Sequence, residues 1–90
     1  MKAQMFNKQW WVQDTDPKTL HAHYLGLLYE AGFDVLNTVE HHFEPQGYTA
    51  LFLLAESHLA IHTFPEEGKA YIELSSCVRE QYDRFCVLAG

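Results

Sequence analysis

Cysteine is scarce in this chain. Its 90 residues include two cysteines, Cys77 and Cys86, which cannot supply a disulfide framework and lack the CxxC spacing of redox and zinc motifs. A chain of this length buries only slightly more than about 60% of its unfolded surface, so its stability is marginal without further support. With neither disulfides nor a metal-finger pattern, we expect support from a partner subunit, in at least a homodimer. Reduced thiols are typical of a cytoplasmic protein.

Positive charge and long apolar segments are also scarce. The chain has six Lys and Arg residues and twelve Asp and Glu residues, for a net charge of −6. The basic residues are scattered along the sequence, which excludes a basic patch for nucleic-acid phosphates. The longest apolar run, Ala50 to Ala55, is far below the ~20 residues of a membrane span. The N-terminal residues lack the apolar core of a signal peptide. We therefore expect one soluble, cytoplasmic domain over residues 1–90 that binds neither nucleic acid nor membrane.

A metal site is not predicted either. The six histidines form three close pairs, which are His21 and His23, His41 and His42, and His58 and His62. The first pair has helical positions about 200° apart, and the second has neighbouring strand positions that face opposite ways. The third pair shares a strand face but is separated by about 13 Å along it, too far to chelate one ion.

The clearest predicted element is a helix from about Pro17 to Ala31. Asp16 is a favourable N-cap, Pro17 occupies the favoured first position, and Gly32 suits a left-handed C-terminal cap. One helical face carries an apolar stripe, formed by Leu20, Tyr24, Leu27, Leu28 and Ala31. That stripe predicts a helix packed on the core and not a binding face.

The rest of the chain is typical of strands. Five are predicted, at residues 9–13, 33–43, 48–55, 58–64 and 69–76. In the second, period-two spacing puts four apolar side chains on one face, namely Phe33, Val35, Val39 and Phe43. Helical spacing after Cys77 predicts a second helix. The order βαββββα predicts an α+β fold with helices on one face of an antiparallel sheet. Trp10, Trp11 and the second helix are the candidate subunit contacts.

Two links between strands set the expected register. If Glu56–Ser57 is a tight link, Ala55 faces His58 and Leu51 faces His62. If the turn at 65–68 is closed by its flanking residues, Phe64 faces Lys69, His62 faces Tyr71 and Glu56 faces Cys77. Thr49, His62 and Cys77 then share one face of the sheet, beside the Glu56–Ser57 link. A hydroxyl, an imidazole and a thiol beside a Glu-Ser peptide form a plausible reactive cluster, although a register error of one residue would scatter it.

One run of residues carries a specific signature. The segment AESHLAIHTFPE at 55–66, followed by Cys77 twenty residues after Ser57, resembles the prokaryotic S-adenosylmethionine decarboxylases. The resemblance extends from about Trp11 to Cys77 and is strongest from Phe43 onward. It implies an enzyme of polyamine biosynthesis that assembles from paired protomers and acts on a small-molecule substrate.

The resemblance also implies a role for each matching residue. The Glu56–Ser57 bond would be the self-cleavage site, and Ser57 would become a pyruvoyl cofactor after its hydroxyl attacks the preceding carbonyl. Thr49 stands where many relatives have a serine that assists this step, and His62 matches the histidine that removes the Ser57 α-proton. Cys77 matches the acid that protonates the substrate after carbon dioxide leaves. Phe43 and Glu66 match residues that hold the adenine and the ribose.

Chemistry gives a separate reason to expect such a cofactor. Decarboxylation of an α-amino acid leaves a carbanion, which needs an electron sink. A ketone that condenses with the substrate amine supplies one, and no side chain carries a ketone. A protein without an external cofactor must therefore make a ketone from its own backbone, and serine is a natural precursor.

Other interpretations remain open from the residues alone. Cys77 and Phe43 also suit core positions, and Glu66 suits an ordinary turn. The sequence departs from the family at Phe64, where tryptophan is common, at Glu67, where an aromatic is usual, and at Val78, where glycine is usual. It also ends soon after Cys77, where typical members continue. An acidic Glu67 could favour a basic amino acid such as ornithine or arginine as substrate, and a non-cleaving binding or regulatory subunit is the alternative outside enzymes.

Overall fold

A five-stranded antiparallel sheet backed by two helices forms the fold in the computed structural model, which describes residues 3–90. In chain order the elements are β1 (Phe6–Val12), α1 (Pro17–Glu30), β2 (Val35–His42), β3 (Tyr48–Leu54), β4 (Ser57–Phe64), a 3-10 turn (Pro65–Glu67), β5 (Lys69–Ser76) and α2 (Arg79–Ala89). The strands are arranged β1-β5-β4-β3-β2. The predicted α+β fold is confirmed.

Local signals at both ends of α1 act as expected. The Asp16 carboxylate accepts hydrogen bonds from the backbone N–H and the hydroxyl of Thr19, at 2.9 and 2.7 Å. Gly32 has a φ of +92°, a conformation that an L side chain would disfavour. The apolar stripe is buried through Leu20, Tyr24 and Leu28, so the helix is fixed on the sheet by the face that its sequence predicts.

The core lies between the helices and one face of the sheet, here called the inner face. Its fully buried side chains alternate along the central strands, as Ala50, Phe52, Leu54, Leu59, Ile61, Ala70, Ile72 and Leu74. Trp10 packs against this core, with its ring 6.0 Å from those of Tyr24 and Phe85. Trp10 is thus partly buried inside the protomer, whereas Trp11 is 53% exposed, and the subunit contact of both residues stays a prediction.

The predicted apolar face of 33–43 is also wrong. A register irregularity between Val35 and Asn37 interrupts the pairing of β2 with β3. Such a bulge reverses the direction of the side chains that follow it. Val39 is consequently 59% exposed on the face opposite the core, and Phe43, beyond the end of β2, is 50% exposed.

The link between β3 and β4 differs from the expected one by two residues. Leu54 pairs with Ser57 and Thr49 pairs with His62, so the turn is Ala55–Glu56 and β4 begins at Ser57. A shift of two residues preserves the face of every side chain. The turn at 65–68 is confirmed, because Phe64 pairs with Lys69 and His62 pairs with Tyr71.

The second face of the sheet, here called the open face, carries several exposed apolar side chains. Both helices of the described residues 3–90 pack on the inner face. The open face leaves five large side chains between 36% and 59% exposed, which are Trp11, Val39, Leu51, Leu53 and Phe64. These side chains come from four of the five strands, β1, β2, β3 and β4, and an exposed apolar surface of this kind is typical of a protein interaction site.

Within residues 3–90, neither helix has the length and apolar character needed to cross a membrane.

Candidate active site

The predicted cleavage bond follows a residue with an unusual backbone. Glu56, the second residue of the β3–β4 turn, has a φ of +59°. This left-handed conformation costs a residue with a side chain about 1–2 kcal/mol relative to its normal geometry. Ser57, by contrast, is held in the ladder between Leu54 and Ser76. The Glu56–Ser57 peptide therefore joins a strained turn residue to a fixed strand residue.

Cys77 contacts the carbonyl side of this peptide. Its thiol donates to the backbone oxygen of Glu56 at 3.1 Å and lies 3.6 Å from the Glu56 carboxylate. Burial, followed by the Glu56 carboxylate, raises the pKa of the Cys77 thiol above its ordinary value. Both effects disfavour the thiolate, so the thiol remains protonated near neutral pH and can act as a hydrogen-bond donor or an acid.

The Ser57 hydroxyl is held from the other side by a residue that the motif did not indicate. It donates to the hydroxyl oxygen of Ser76 at 2.7 Å, and both side chains are buried. Ser76 faces Ser57 directly across β4 and β5. The register from the 65–68 turn already implied this pairing, so that register was the signal that could have identified Ser76.

Thr49 and His62 form a second polar group. The Thr49 hydroxyl and His62 Nδ1 are 3.0 Å apart, and the His62 ring stacks on Tyr71 with 6.1 Å between centroids. The Tyr71 hydroxyl donates in turn to Glu73 at 2.6 Å, a hydrogen bond that raises the pKa of Tyr71. The shared face predicted for Thr49 and His62 is present.

This second group does not lie beside the Glu56–Ser57 link, contrary to expectation. His62 follows Ser57 by five residues on β4, which is about 16 Å along an extended strand. Sharing a face of the sheet does not place residues at the same end of it. Within one protomer the candidate residues therefore form a cleavage end, with Glu56, Ser57 and Cys77, and an imidazole end, with Thr49 and His62.

Phe43 and Glu66 belong to the imidazole end. Phe43 follows β2 and packs against His41, with ring centroids 4.5 Å apart. The amide of Gln46, in the turn after Phe43, donates to the Glu66 carboxylate at 3.1 Å. This bond connects the β2–β3 turn to the β4–β5 turn, so the two residues matched to nucleoside binding lie at the same end of the strands.

No group of three or more His, Cys, Asp or Glu side chains within the described part of the chain could hold a metal ion. The cleavage end offers instead a serine whose hydroxyl and preceding carbonyl each have a hydrogen-bond partner. This donor set fits a cofactor made from the chain itself.

Residues 13–88 match the protein family described as S-adenosylmethionine decarboxylase. An S-adenosylmethionine decarboxylase proenzyme from Prochlorococcus marinus (strain MIT 9313) is 57% identical over 47 residues, which cover 52% of this chain and 38% of that protein. The proenzyme of the same name from Carboxydothermus hydrogenoformans is 36% identical over 80 residues, covering 64% of this chain and 63% of that protein. The matched part is thus less than two thirds of either relative.

The fold is similar to a solved structure. The crystal structure of the adenosylmethionine decarboxylase from Aquifex aeolicus VF5 superposes with a TM-score of 0.77 and covers 97% of this chain and 78% of that one. Their sequences are 22% identical, so this similarity describes the architecture alone.

Proposed function

We propose, because this chain belongs to the S-adenosylmethionine decarboxylase family, that it is a proenzyme that cleaves itself between Glu56 and Ser57 and then decarboxylates S-adenosylmethionine. The observation that carries the proposal is the pair of hydrogen bonds on this one peptide, from Cys77 to the Glu56 carbonyl and from Ser57 to Ser76. The proenzyme names of the relatives support the same conclusion.

Self-cleavage would begin as an N-to-O acyl shift. The Ser57 oxygen forms a bond to the Glu56 carbonyl carbon, the peptide C–N bond breaks, and the nitrogen gains the proton that the hydroxyl loses. The Cys77 thiol supports this step because it donates to the oxygen on which negative charge develops. The left-handed φ of Glu56 supports it as well, since the strain of a turn residue is relieved when its peptide bond opens.

The second step would be an elimination that needs a base. Loss of the Ser57 α-proton breaks the bond between Cβ and the ester oxygen, which releases Glu56 as a carboxylate. The resulting enamine takes up water and loses ammonia, which leaves the pyruvoyl group at the start of the second chain. We assign the base to His62, whose Nδ1 is 3.0 Å from the Thr49 hydroxyl, because an imidazole nitrogen can take up a proton and release it again.

His62 reaches Ser57 in this proposal through a homodimer. About 16 Å separates the two residues along β4, too far for proton transfer within one protomer. If two open faces pack with opposite strand directions, the imidazole end of one protomer meets the cleavage end of its partner. The exposed apolar side chains of the open face, such as Trp11, Leu51 and Leu53, support this surface as the contact. Such a two-fold arrangement would complete two equivalent sites.

Decarboxylation would then use the same residues. The pyruvoyl group, once formed, supplies the ketone that accepts the electron pair left by carbon dioxide. Cys77 returns a proton to the substrate carbon, a role that its raised pKa supports because the thiol stays protonated. Phe43, half exposed at the imidazole end, offers a ring for the adenine, and Glu66 offers a carboxylate for the ribose hydroxyls.

The adenosyl substrate is preferred over a basic amino acid. Glu67 suggested ornithine or arginine because of its charge, but its carboxylate lies 3.4 Å from the Lys69 ammonium. An ion pair of this kind partly neutralises the Glu67 charge, which was the reason to consider ornithine or arginine. Lys69 also lies 4.4 Å from the centre of the exposed Trp11 ring, so this edge is already occupied by a cation of the protein.

Intact-mass spectrometry of the purified protein tests the proposal. We expect two species, residues 1–56 and a 57–90 fragment that begins with a pyruvoyl group, and one uncut chain for Ser57→Ala. Ser75→Ala is the matched control, because it removes a neighbouring buried serine hydroxyl that is bonded to Asn7 and not to the cleavage end. A folded wild-type chain that stays uncut would support the non-cleaving subunit instead.

A further inference from the structure

We propose that Ser76 is a positioning residue for self-cleavage, whose side-chain oxygen fixes the Ser57 hydroxyl for attack on the Glu56 carbonyl. The inference rests on the proposed function and adds to it a residue outside the motif. It starts from one contact, the 2.7 Å hydrogen bond from Ser57 to Ser76. Ser57 is 6% exposed and Ser76 is fully buried, so bulk water does not compete for the bond.

Ser76 is itself held rigidly by the backbone. The Val78 N–H donates to the Ser76 oxygen at 3.0 Å, and the Ser76 hydroxyl lies 3.5 Å from the Val78 carbonyl oxygen. A hydroxyl oxygen accepts two hydrogen bonds. The Val78 N–H and the Ser57 hydroxyl donate these two hydrogen bonds to the Ser76 oxygen. The hydrogen-bond partner of Ser57 is therefore fixed in position.

This arrangement sets the direction of the Ser57 hydroxyl. Because its proton points to Ser76, its lone pairs point elsewhere and are available to the carbonyl carbon of Glu56. Nucleophilic attack needs such a lone pair aligned on the carbonyl, and small errors in placement are costly in rate. Without Ser76 the hydroxyl could rotate and donate to other acceptors, which would lower the fraction of time that it is aligned.

Ser76 and Cys77 together hold both reacting groups of the peptide. Ser76 is the last residue of β5 and Cys77 is the residue after it. Ser76 contacts the nucleophile, and Cys77 contacts the carbonyl oxygen. The strand register that pairs Ser57 with Ser76 thus places a hydroxyl acceptor and a thiol donor on either side of one bond.

The test compares the cleavage rates of Ser76→Ala, Ser76→Thr and Ser75→Ala with that of the wild type, by intact mass over time. Loss of one neutral hydrogen bond of about 1 kcal/mol predicts cleavage about five- to tenfold slower in Ser76→Ala. Ser76→Thr keeps the hydroxyl and should cleave near the wild-type rate. Ser75→Ala should also cleave normally, although it loses a buried hydroxyl from the same strand.

Hydroxylamine separates a positioning role from a loss of stability. It cuts an accumulated ester, so it should accelerate chain cutting in His62→Ala, where the block follows ester formation. It should not do so in Ser76→Ala, where the block precedes the ester. Melting temperatures show whether Ser76→Ala is folded. If it is not, Ser76→Cys, with a weaker acceptor of similar shape, decides the question by the same criterion.

The outcomes are distinct for the two proposals. An uncut wild-type chain overturns the proposed function, and the role of Ser76 with it. The role of Ser76 alone is overturned if the wild type cleaves and a folded Ser76→Ala variant has a cleavage rate within about threefold of that of Ser75→Ala. A slower rate that hydroxylamine rescues also overturns that role, because it would place the defect after the attack.

Discussion

One inactive variant should restore cleavage of another if the site is shared between protomers. Ser57→Ala lacks the nucleophile but keeps His62, whereas His62→Ala keeps the nucleophile and lacks the base. Alone, the first should remain an uncut amide, and the second should accumulate as the ester. In a mixed dimer, the Ser57→Ala protomer supplies the imidazole to the cleavage end of its partner.

The expected size of the effect follows from the geometry. The two residues lie about 16 Å apart along β4, whereas proton transfer requires about 3 Å between heavy atoms. Restoration in trans should therefore be complete for each mixed dimer and absent in all others. Random pairing of equal amounts in a symmetric dimer makes about half of the dimers mixed, so about half of the His62→Ala chains should be processed.

Co-expression followed by mass spectrometry provides the assay. The diagnostic product is the pyruvoyl-blocked 57–90 fragment that carries the His62→Ala substitution, since its mass identifies the chain from which it was cut. The matched control is His62→Ala co-expressed with the double variant Ser57→Ala/His62→Ala, which has no imidazole to supply. If this diagnostic fragment is no more abundant with the single variant Ser57→Ala than with the double one, the shared site is refuted.

Two further predictions concern the Cys77 thiol and the open face. In uncut Ser57→Ala/Cys86→Ser protein, alkylation of Cys77 should have its midpoint above the ordinary thiol pKa of 9.0, because burial and the Glu56 carboxylate raise the pKa. The further substitution Glu56→Gln should lower the pH of this midpoint, and an unchanged midpoint would contradict the contact between Cys77 and the Glu56 carboxylate. On the open face, Leu53→Lys should raise the dimer Kd by at least about tenfold by light scattering, since it introduces a charge into an apolar contact. Val87→Lys, at a position 81% exposed on α2, should leave the Kd unchanged.

The parts of the fold predicted from sequence are those fixed by local chemistry. Asp16 defines the start of α1 because its side chain caps the helix. Gly32 defines the end because, without a side chain, it adopts a positive φ easily. The register of β4 with β5 followed from the turn that ends at Gly68. The face of Val39 was mispredicted, because a bulge is fixed by the fit of β2 against β3, and the alternation of the sequence carries no sign of it.

In the candidate site, too, local contacts could be predicted from the sequence and long-range placement could not. Among the candidates that the motif suggests, the fold brings Ser57 and Cys77 to one peptide and Thr49 and His62 to each other. The motif could not show that these two pairs lie at opposite ends of the strands. The prediction placed them together because their side chains share one face of the sheet, without considering their separation along the strands. Ser76 was missed because a serine in a strand has no distinctive pattern until its partner is known.

The fold would also hold the two parts of the chain together after the proposed cleavage. The proposed break lies between β3 and β4, two central strands of the sheet, which are paired from Leu54–Ser57 to Thr49–His62. The first chain would keep α1 and three strands, and the second would keep β4, β5 and α2. Each half contributes side chains to one core, with Phe52 and Leu28 from the first and Ile61 and Phe85 from the second. The proposed cleavage would therefore open a two-residue turn with an unfavourable φ and leave the strand pairing and the core contacts in place. The new chain start would then be held in position, as a reactive group must be.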